Sequence, residues 1–190
     1  MGLHIFVIVS SVDHCETMIS EDLARKFSNM EDEVTECPHQ STVRFFVPFP
    51  AGTIEDILLY LEPPIRLLEA LGNPSQELSL DSFLSPFDEA FFKPFDDIFL
   101  LVFVDCAKYL GLKCVDCKLE TDFGHNTQTE CPINRALNVL AFRMNDLSLN
   151  DICKRMIFGK SIEEVPEYIS VLIRNIYSRI NHIVNIDSGK

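Results

Sequence analysis

The 190-residue chain has no tryptophan and only seven glycines, and none of these glycines stands in a Gly-x-Gly arrangement. Phosphate-binding loops need closely spaced glycines so that the backbone can approach the phosphate. A nucleotide-binding loop of this kind is therefore not expected. Uninterrupted apolar runs are short, because charged residues break each of them before it reaches the length that spans a bilayer. No association with a membrane is predicted.

Basic residues are scarce: 16 Lys and Arg stand against 29 Asp and Glu, which gives a formal net charge of −13. Residues 1–131 hold 8 basic and 23 acidic residues, a net −15, whereas residues 132–190 hold 8 and 6, a net +2. An acidic surface repels the phosphates of DNA and RNA, so direct binding of nucleic acid is not expected. The same asymmetry would attract a basic protein surface to the N-terminal part.

The first ten residues lack a basic leader and a small-residue cleavage site, so they do not have the pattern of a secretory signal. Without such a signal, the seven cysteines are expected to be reduced thiols. These features predict a soluble protein of the cytoplasm or the nucleus.

One cysteine pair has the spacing of a metal motif, Cys114-x-x-Cys117. Zinc needs about four ligands, and the chain has no second Cys-x-x-Cys and no His-x-x-x-His. The residues that could complete a site are Cys131, His125, and Cys37 with His39. Buried structural thiols are the preferred interpretation, and no metal or cofactor is predicted.

Groups that could act in catalysis have simpler explanations. His14 and Cys15 are neighbours on a predicted strand, where adjacent side chains point to opposite faces. The acid pairs 96–97 and 163–164 begin predicted helices, where carboxylates are stabilised by the helix dipole. We therefore predict that the protein is not an enzyme.

Hydrophobic patterns in the first third predict the order β–β–α–β–α. The predicted strands are residues 4–11, 15–19 and 42–47. Ser20 is the expected N-cap of a helix over residues 21–30, followed by a loop to residue 40, and Thr53 is the expected cap of a helix over residues 54–61. Residues 65–71 have the pattern of a short helix.

Residues 63–95 are predicted to be an insertion, partly mobile, that is rich in phenylalanine. These phenylalanines either anchor the insertion to the protein's own core, which we favour, or present a binding segment. The remainder is predicted to be helical, and the predicted helices cover residues 98–110, 113–120, 132–145, 149–158 and about 162–183. Ser161 and Glu164 have the spacing of a capping box for the last of these helices. The fold class is therefore α+β.

A helix, a tight corner and a short helix with Cys-Lys occur twice in the chain. In the first copy, Cys106-Ala-Lys-Tyr-Leu-Gly-Leu-Lys-Cys-Val-Asp-Cys-Lys118 resembles the Ala-Asn-Tyr-Leu-Asp-Ile-Lys-Gly-Leu segment of the Skp family of F-box adaptors. Gly159-Lys-Ser-Ile-Glu-Glu-Val165 is similar to that family's Gly-Lys-Thr-Pro-Glu-Glu-Ile, and Ile8-Val-Ser-Ser-Val-Asp13 to the opening strand and turn of Skp proteins and elongin C. The resemblance covers most of residues 4–120 and extends over 146–170.

The resemblance implies a BTB/POZ-like three-stranded sheet with helices at residues 1–120, followed by a C-terminal helical extension at residues 132–184. In that family the BTB body contacts a cullin scaffold, and the C-terminal helices bind an F-box or similar helical receptor. The implied cullin-side contacts here are Lys108, Tyr109 and Lys113. The implied receptor-side contacts are Gly159, Lys160, Ser161, Glu163, Glu164 and Val165.

This sequence departs from the family pattern at several of these positions. Lys108 replaces the family asparagine, Gly111 replaces its aspartate, and Ile162 stands where proline is usual. No tryptophan-containing tail follows. Residues 121–145 resemble instead the extra helical pair that follows the BTB domain in many BTB proteins, which puts binding of a standard F-box in question.

An apolar stripe runs along the last predicted helix through Ile169, Leu172, Ile173, Ile176, Ile180 and Ile183. Either it forms part of the receptor groove, with Ile173 and Ile176 as contacts, or it is buried in the protein's own core.

The leading hypothesis is an adaptor that bridges a cullin scaffold and a helical receptor in a ubiquitin ligase. The alternative is a BTB-type scaffold that self-associates and assembles transcriptional or structural complexes without a cullin. The polar first helix favours a monomer, and a homodimer stays open.

Overall fold

The computed structural model describes residues 6–37, 41–71, 86–113, 132–157 and 159–188. Within these ranges the chain has an α+β fold with one three-stranded sheet and a helical C-terminal part, as the sequence predicts. The strands are β1 (Phe6–Ser10), β2 (Glu16–Ser20) and β3 (Thr42–Phe46). The helices are α1 (Glu21–Ala24), α2 (Ser28–Glu36), α3 (Ala51–Leu61), α4 (Ile65–Leu71), α5 (Pro86–Phe92), α6 (Asp97–Tyr109), α7 (Pro132–Arg143), α8 (Leu149–Met156) and α9 (Glu167–Ser188).

The chain divides into two compact units. The first comprises Met1–Pro63 and Val102–Leu119, and the second comprises Pro64–Leu101 and Glu120–Lys190. The domains expected from the sequence are residues 1–120 and 132–184. In the structure Pro64–Leu101, which includes α4, α5 and the first residues of α6, groups with the C-terminal helices.

The sheet has the strand order β2-β1-β3, with β1 antiparallel to β2 and parallel to β3. Alternation along the strands gives it two different faces. Val7 and Val9 of β1 are buried on one face, together with Ile19 of β2 and Val43 of β3. This face forms the core of the first unit. The opposite face, which we call the open face, has exposed or half-buried side chains at its described positions.

The predicted helix over residues 21–30 is wrong, because the structure contains two helices separated by a break. Phe27 has an extended backbone and forms a β-bridge with Leu112, and both residues are buried. The Ser28 N–H donates to the Gly111 carbonyl at 2.7 Å. Distant backbone partners therefore replace the bonds of a continuous helix, and local periodicity does not reveal them. The second helix then continues to Glu36, through much of the predicted loop.

Helix α3 begins earlier than predicted. Its first residue is Ala51, with Pro50 at the N-cap position, and Thr53 is buried within the helix instead of capping it. The cap comes from elsewhere in the chain, because the Asp13 carboxylate accepts the Ala51 N–H at 3.1 Å. A carboxylate at this position also complements the positive end of the helix dipole.

The second unit contains part of the predicted insertion, and its phenylalanines belong to the core. Helix α4 matches the short helix predicted at residues 65–71, whereas α5 was not predicted. Phe87, Phe91 and Phe92 of α5 are buried, which favours the anchoring interpretation over a presented binding segment. Residues 72–85 lie outside the described ranges. So do the predicted helix beyond residue 113 and the cysteine pair at positions 114 and 117.

Polar groups connect the helices inside the second unit. The Arg179 guanidinium on α9 donates to the side-chain oxygens of Asn134 and Asn138 on α7, each at 2.6 Å. Arg135 forms a buried ion pair with Asp88 of α5 at 2.9 Å. Buried polar groups of this kind tolerate few alternative arrangements, so they define how α5, α7 and α9 pack.

The predicted capping box of Ser161 and Glu164 is present, but it caps a short 3-10 turn at Ile162–Glu164. Helix α9 begins only at Glu167, after Pro166, and extends to Ser188. Among the residues described, no helix is both long and apolar enough to cross a membrane.

Gly111 provides a test of the junction between α2 and α6. Its φ is +70°, and an added Cβ would lie 3.3 Å from the Asn29 backbone nitrogen and far too close to the Ser28 hydroxyl. We expect Gly111→Ala to lower the free energy of unfolding by about 1–2 kcal/mol or more, because the left-handed backbone disfavours a side chain. Urea denaturation measures the change.

The matched control is Gly52→Ala in α3, where an added Cβ meets no atom within 4 Å. There we expect the free energy of unfolding to stay unchanged or to rise by up to about 1 kcal/mol, because alanine has a better helix propensity than glycine. Equal effects of the two substitutions would contradict the role given to Gly111.

Candidate protein-binding surface

Tyr109 lies in the last turn of α6 and is 43% exposed. Its ring centroid is 5.7 Å from that of Phe49, in the connection between β3 and α3. The Asn29 side-chain amide donates to the Tyr109 backbone carbonyl, which holds the end of α6 against α2. Tyr109 therefore combines a fixed backbone with an exposed ring, as residues that anchor protein interfaces often do.

Lys108, the residue before Tyr109, also lies at the surface. Partial desolvation of its ammonium group lowers the pKa of Lys108, and the nearby Asp105 carboxylate opposes this effect. The end of α6 thus presents a cation beside an aromatic ring.

Lys113, two residues beyond Gly111, connects the same region to α2. Its backbone N–H donates to the Lys26 carbonyl at 2.7 Å, and its ammonium group pairs with Glu31. The hydrogen bond from Lys113 holds the pKa of Glu31 below its usual value, and the charges of Lys113 and Arg25 add to this effect. Lys108, Tyr109 and Lys113, the predicted cullin-side contacts, thus lie at and just beyond the end of α6 in the first unit.

The hairpin turn between β1 and β2 contributes residues that sequence reasoning missed. The Val12 N–H donates to the Phe49 carbonyl at 3.1 Å, and the Val12 side chain is exposed. Val12, Phe49, Lys108 and Tyr109 therefore form a contiguous surface, which we call the aromatic corner. The prolines on either side of Phe49 were a usable signal, since they exclude a helix there and leave the ring in a loop.

Asp13 holds this turn in place. Its carboxylate accepts hydrogen bonds from the Ser11 hydroxyl and from the Ala51 N–H. These bonds lower the pKa of Asp13, the Ser11 bond most strongly, against an opposing effect of desolvation. One carboxylate thus connects the hairpin turn to the start of α3 on either side of Phe49.

The segment from Gly159 to Val165 is the other surface implied by the resemblance, and it lies in the second unit. Gly159 has φ +84°, and its N–H donates to the Lys154 carbonyl at 2.8 Å, which ends α8. Four of the predicted contacts are exposed, namely Gly159, Lys160, Glu163 and Glu164. The other two, Ser161 and Val165, are half-buried. Ile162 is buried.

Glu164 fixes the shape of this segment. Its carboxylate accepts the Ser161 N–H at 2.7 Å, and this bond lowers the pKa of Glu164. The segment therefore offers the solvent a mostly polar and charged surface, with Val165 as its half-buried apolar residue.

The predicted contacts Ile173 and Ile176 require correction. Both side chains are 0% exposed, and they lie on the face of α9 that packs in the core of the second unit. Only the core interpretation of the apolar stripe fits these positions. The exposed side of α9 is mainly polar in the described residues, and its members are Glu167, Val171, Arg174, Ser178 and Asn181.

Two of the described thiols are buried in the core, and the described acidic groups do not combine with thiols or histidines into a metal-binding cluster. Cys106 and Cys153 are buried, and burial raises the pKa of Cys106 to about 12, so its thiol stays protonated and unreactive. Within the described ranges, no three His, Cys, Asp or Glu side chains are grouped so that they could hold a metal ion. Of the metal candidates, Cys131, His125 and His39 lie outside those ranges.

No known protein-family model matches the chain, and no curated protein matches its sequence.

Asp13 gives a pH-dependent test of the aromatic corner. Because the folded-state pKa is lowered, the ionised carboxylate contributes stability above its unfolded-state pKa, and this contribution is lost as pH falls through the folded value. We expect Asp13→Asn to destabilise the protein at about pH 7 and to differ less from wild type at about pH 3. Urea denaturation at both pH values measures this, with Asp22→Asn, exposed on α1, as the control. A constant difference at both pH values would contradict the assignment.

The core position of Ile173 and Ile176 is tested by placing charges there. We expect the double variant Ile173→Asp/Ile176→Asp to lower the free energy of unfolding by at least about 4 kcal/mol, because two carboxylates would be buried in an apolar region. Circular dichroism melting should show loss of the folded transition. The matched control, Val171→Asp/Ser178→Asp on the exposed side of α9, should melt within a few degrees of wild type.

Proposed function

We propose that the protein is an adaptor with a BTB/POZ-like domain of the Skp and elongin C type, which bridges a cullin scaffold and a helical receptor in a ubiquitin ligase. The observation that carries the proposal is the aromatic corner. Tyr109, exposed and backed by Phe49, lies beside Lys108 at the position where the resemblance implies the cullin contact. Binding, and no catalysis, is the role proposed for the chain.

The fold is compatible with this role. A β-hairpin, helices, a third strand parallel to β1 and a further helix follow one another in the order that the resemblance implies. The Ser11–Val12–Asp13 turn, part of the resemblance, supports the aromatic corner through Phe49 and Ala51. The motif positions thus have a physical connection in this chain beyond their order in the sequence.

Tyr109 is the residue expected to contribute most to binding. A tyrosine ring offers a large apolar area with little entropy to lose, and its hydroxyl can find a polar partner. The Phe49 ring and the bond from Asn29 restrict its position before a partner arrives. A cation at Lys108 and the pair of Lys113 with Glu31 would contribute at the rim, mainly to the rate of association.

On the receptor side, the proposal is limited to the polar segment of Lys160, Ser161, Glu163 and Glu164 with the half-buried Val165. With Ile173 and Ile176 in the core, α9 offers this segment little apolar support. Contacts made through these exposed charges are screened by salt. We therefore propose that the receptor is bound through a polar contact unlike the apolar groove of a standard F-box adaptor.

The experiment is a binding assay between the purified full chain and a panel of cullin N-terminal domains. We expect at least one cullin to bind, and we expect Tyr109→Ala to weaken it by about 30-fold or more, as for loss of an interface hot spot. Lys108→Glu should slow association. Phe142→Ala, an exposed aromatic of α7 in the second unit, is the matched control and should bind like wild type.

Failure of every cullin to bind would overturn the proposal, as would equal binding by wild type and Tyr109→Ala. Tight self-association without cullin binding would favour the scaffold alternative.

A further inference from the structure

The open face of the sheet carries two large apolar side chains that are exposed to solvent. Met18 of β2 is 67% exposed and Phe46 of β3 is 58% exposed. The strand register places the positions of this face in three rows across the sheet, and the row at one end contains Ser20 and Thr42. The other two rows carry the charged residues and the exposed apolar ones. One row is Met18, Ile8 and Arg44, and the next is Glu16, Ser10 and Phe46.

The end residues of these two rows form a rectangle. The charged residues Glu16 and Arg44 lie on one of its diagonals, and the apolar residues Met18 and Phe46 lie on the other. Arg44 pairs with Glu16 across β1, and the Ser10 hydroxyl donates to the Glu16 carboxylate at 3.5 Å. Met18 and Phe46 occupy the remaining two corners of the rectangle. Both members of the ion pair are substantially exposed, so the pair is open to further partners.

This arrangement is complementary to a second copy of itself. If two copies meet face to face about a two-fold axis along the Met18–Phe46 diagonal, each of these residues meets its own counterpart. Glu16 of each copy then lies opposite Arg44 of the other. An isologous interface requires a patch that matches itself under such a rotation. We propose that this sheet face mediates self-association with a second copy of this chain.

The side lengths of the rectangle determine the angle at which the strands of the two copies cross. Residues two apart on a strand are about 6.8 Å apart, and β2 and β3 are separated by about 9.6 Å across β1. An axis along this diagonal makes the strands of the two copies cross at about 70°, close to the orthogonal class of sheet packing. The residual offset of about 4 Å between Glu16 and Arg44 is within the reach of an arginine side chain.

The face is small, and its centre carries charge, so the dimer is weak. Three strands of five residues give an area well below that of standard stable interfaces. The four alternating charges of the two copies determine how the copies align more than how tightly they bind, because burial of an ion pair has an unfavourable desolvation free energy. We expect a Kd on the order of 10⁻⁴ M.

Charge exchange between copies tests the arrangement. Glu16→Arg places two arginines on the face, and Arg44→Glu places two glutamates. Each variant alone should weaken self-association by about tenfold or more, measured by sedimentation velocity across a concentration series. An equimolar mixture of the two should associate like wild type, because each Arg then meets a Glu of the other copy. A merely structural ion pair within one copy would be broken in both variants and would not be restored by mixing.

The control is the reversal of another exposed pair of the same unit, Lys26 with Glu62 at 3.0 Å. Lys26→Glu should associate like wild type. The proposal is overturned if wild type stays monomeric at about 1 mM, well above the expected Kd, or if mixing fails to restore association.

Cross-linking gives a second readout that does not depend on the charges. In a Cys15→Ser background, which removes an exposed native thiol, Met18→Cys should form a disulfide with its own counterpart in the second copy. Phe142→Cys should cross-link far more slowly under the same oxidant. Equal rates would overturn the proposed face.

This inference is independent of the proposed adaptor role. Met18→Glu and Phe46→Glu should abolish self-association and leave cullin binding unchanged, whereas Tyr109→Ala should do the reverse. Loss of both properties in all three variants, with the fold intact by circular dichroism, would overturn the separation of the two surfaces.

Discussion

The backbone pairing between residues 26–28 and residues 111–113 is the contact on which the first unit depends. It joins segments more than 80 positions apart through the Ser28–Gly111 hydrogen bond and through the bond from Lys113 to Lys26. Phe27 and Leu112 are both buried at this junction. The pairing ends α1, allows α2 to begin, and fixes the end of α6 where Tyr109 is exposed. The aromatic corner is a consequence of this junction.

A second constraint acts inside the helical unit, where polar groups determine what reaches the surface. The bonds from Arg179 to two asparagines of α7 fix which side of α9 faces inward. Ile173 and Ile176 share that side and are buried in the core of the second unit. Arg143 adds to the same framework by donating to the carbonyls of Phe92 and Phe95, at 2.9 and 2.7 Å. The remaining surface of α9 is mostly polar in the described residues, so this helix offers a partner little apolar area.

The first unit carries two exposed surfaces with different chemistry. The aromatic corner combines a restrained tyrosine with a neighbouring cation, a pattern suited to a partner of different structure. The open sheet face combines Met18 and Phe46 with a crossing ion pair, a pattern suited to its own copy. Because edge strands and open faces invite unwanted pairing, a charged pair across the face also keeps any association weak and specific in register.

The sequence by itself determined the elements whose causes are local. Alternating apolar residues gave the three strands, Pro132 and Ser148 marked the starts of α7 and α8, and Gly111 and Gly159 marked helix ends that need a positive φ. Tertiary structure decided the rest. Partners distant in the chain broke the predicted first helix at Phe27, capped α3 through Asp13, and buried Ile173, Ile176 and Ile180 of α9. Periodicity shows that a helix has an apolar side but does not show whether that side meets the protein's own core or a partner, because this depends on which distant polar groups must also be satisfied.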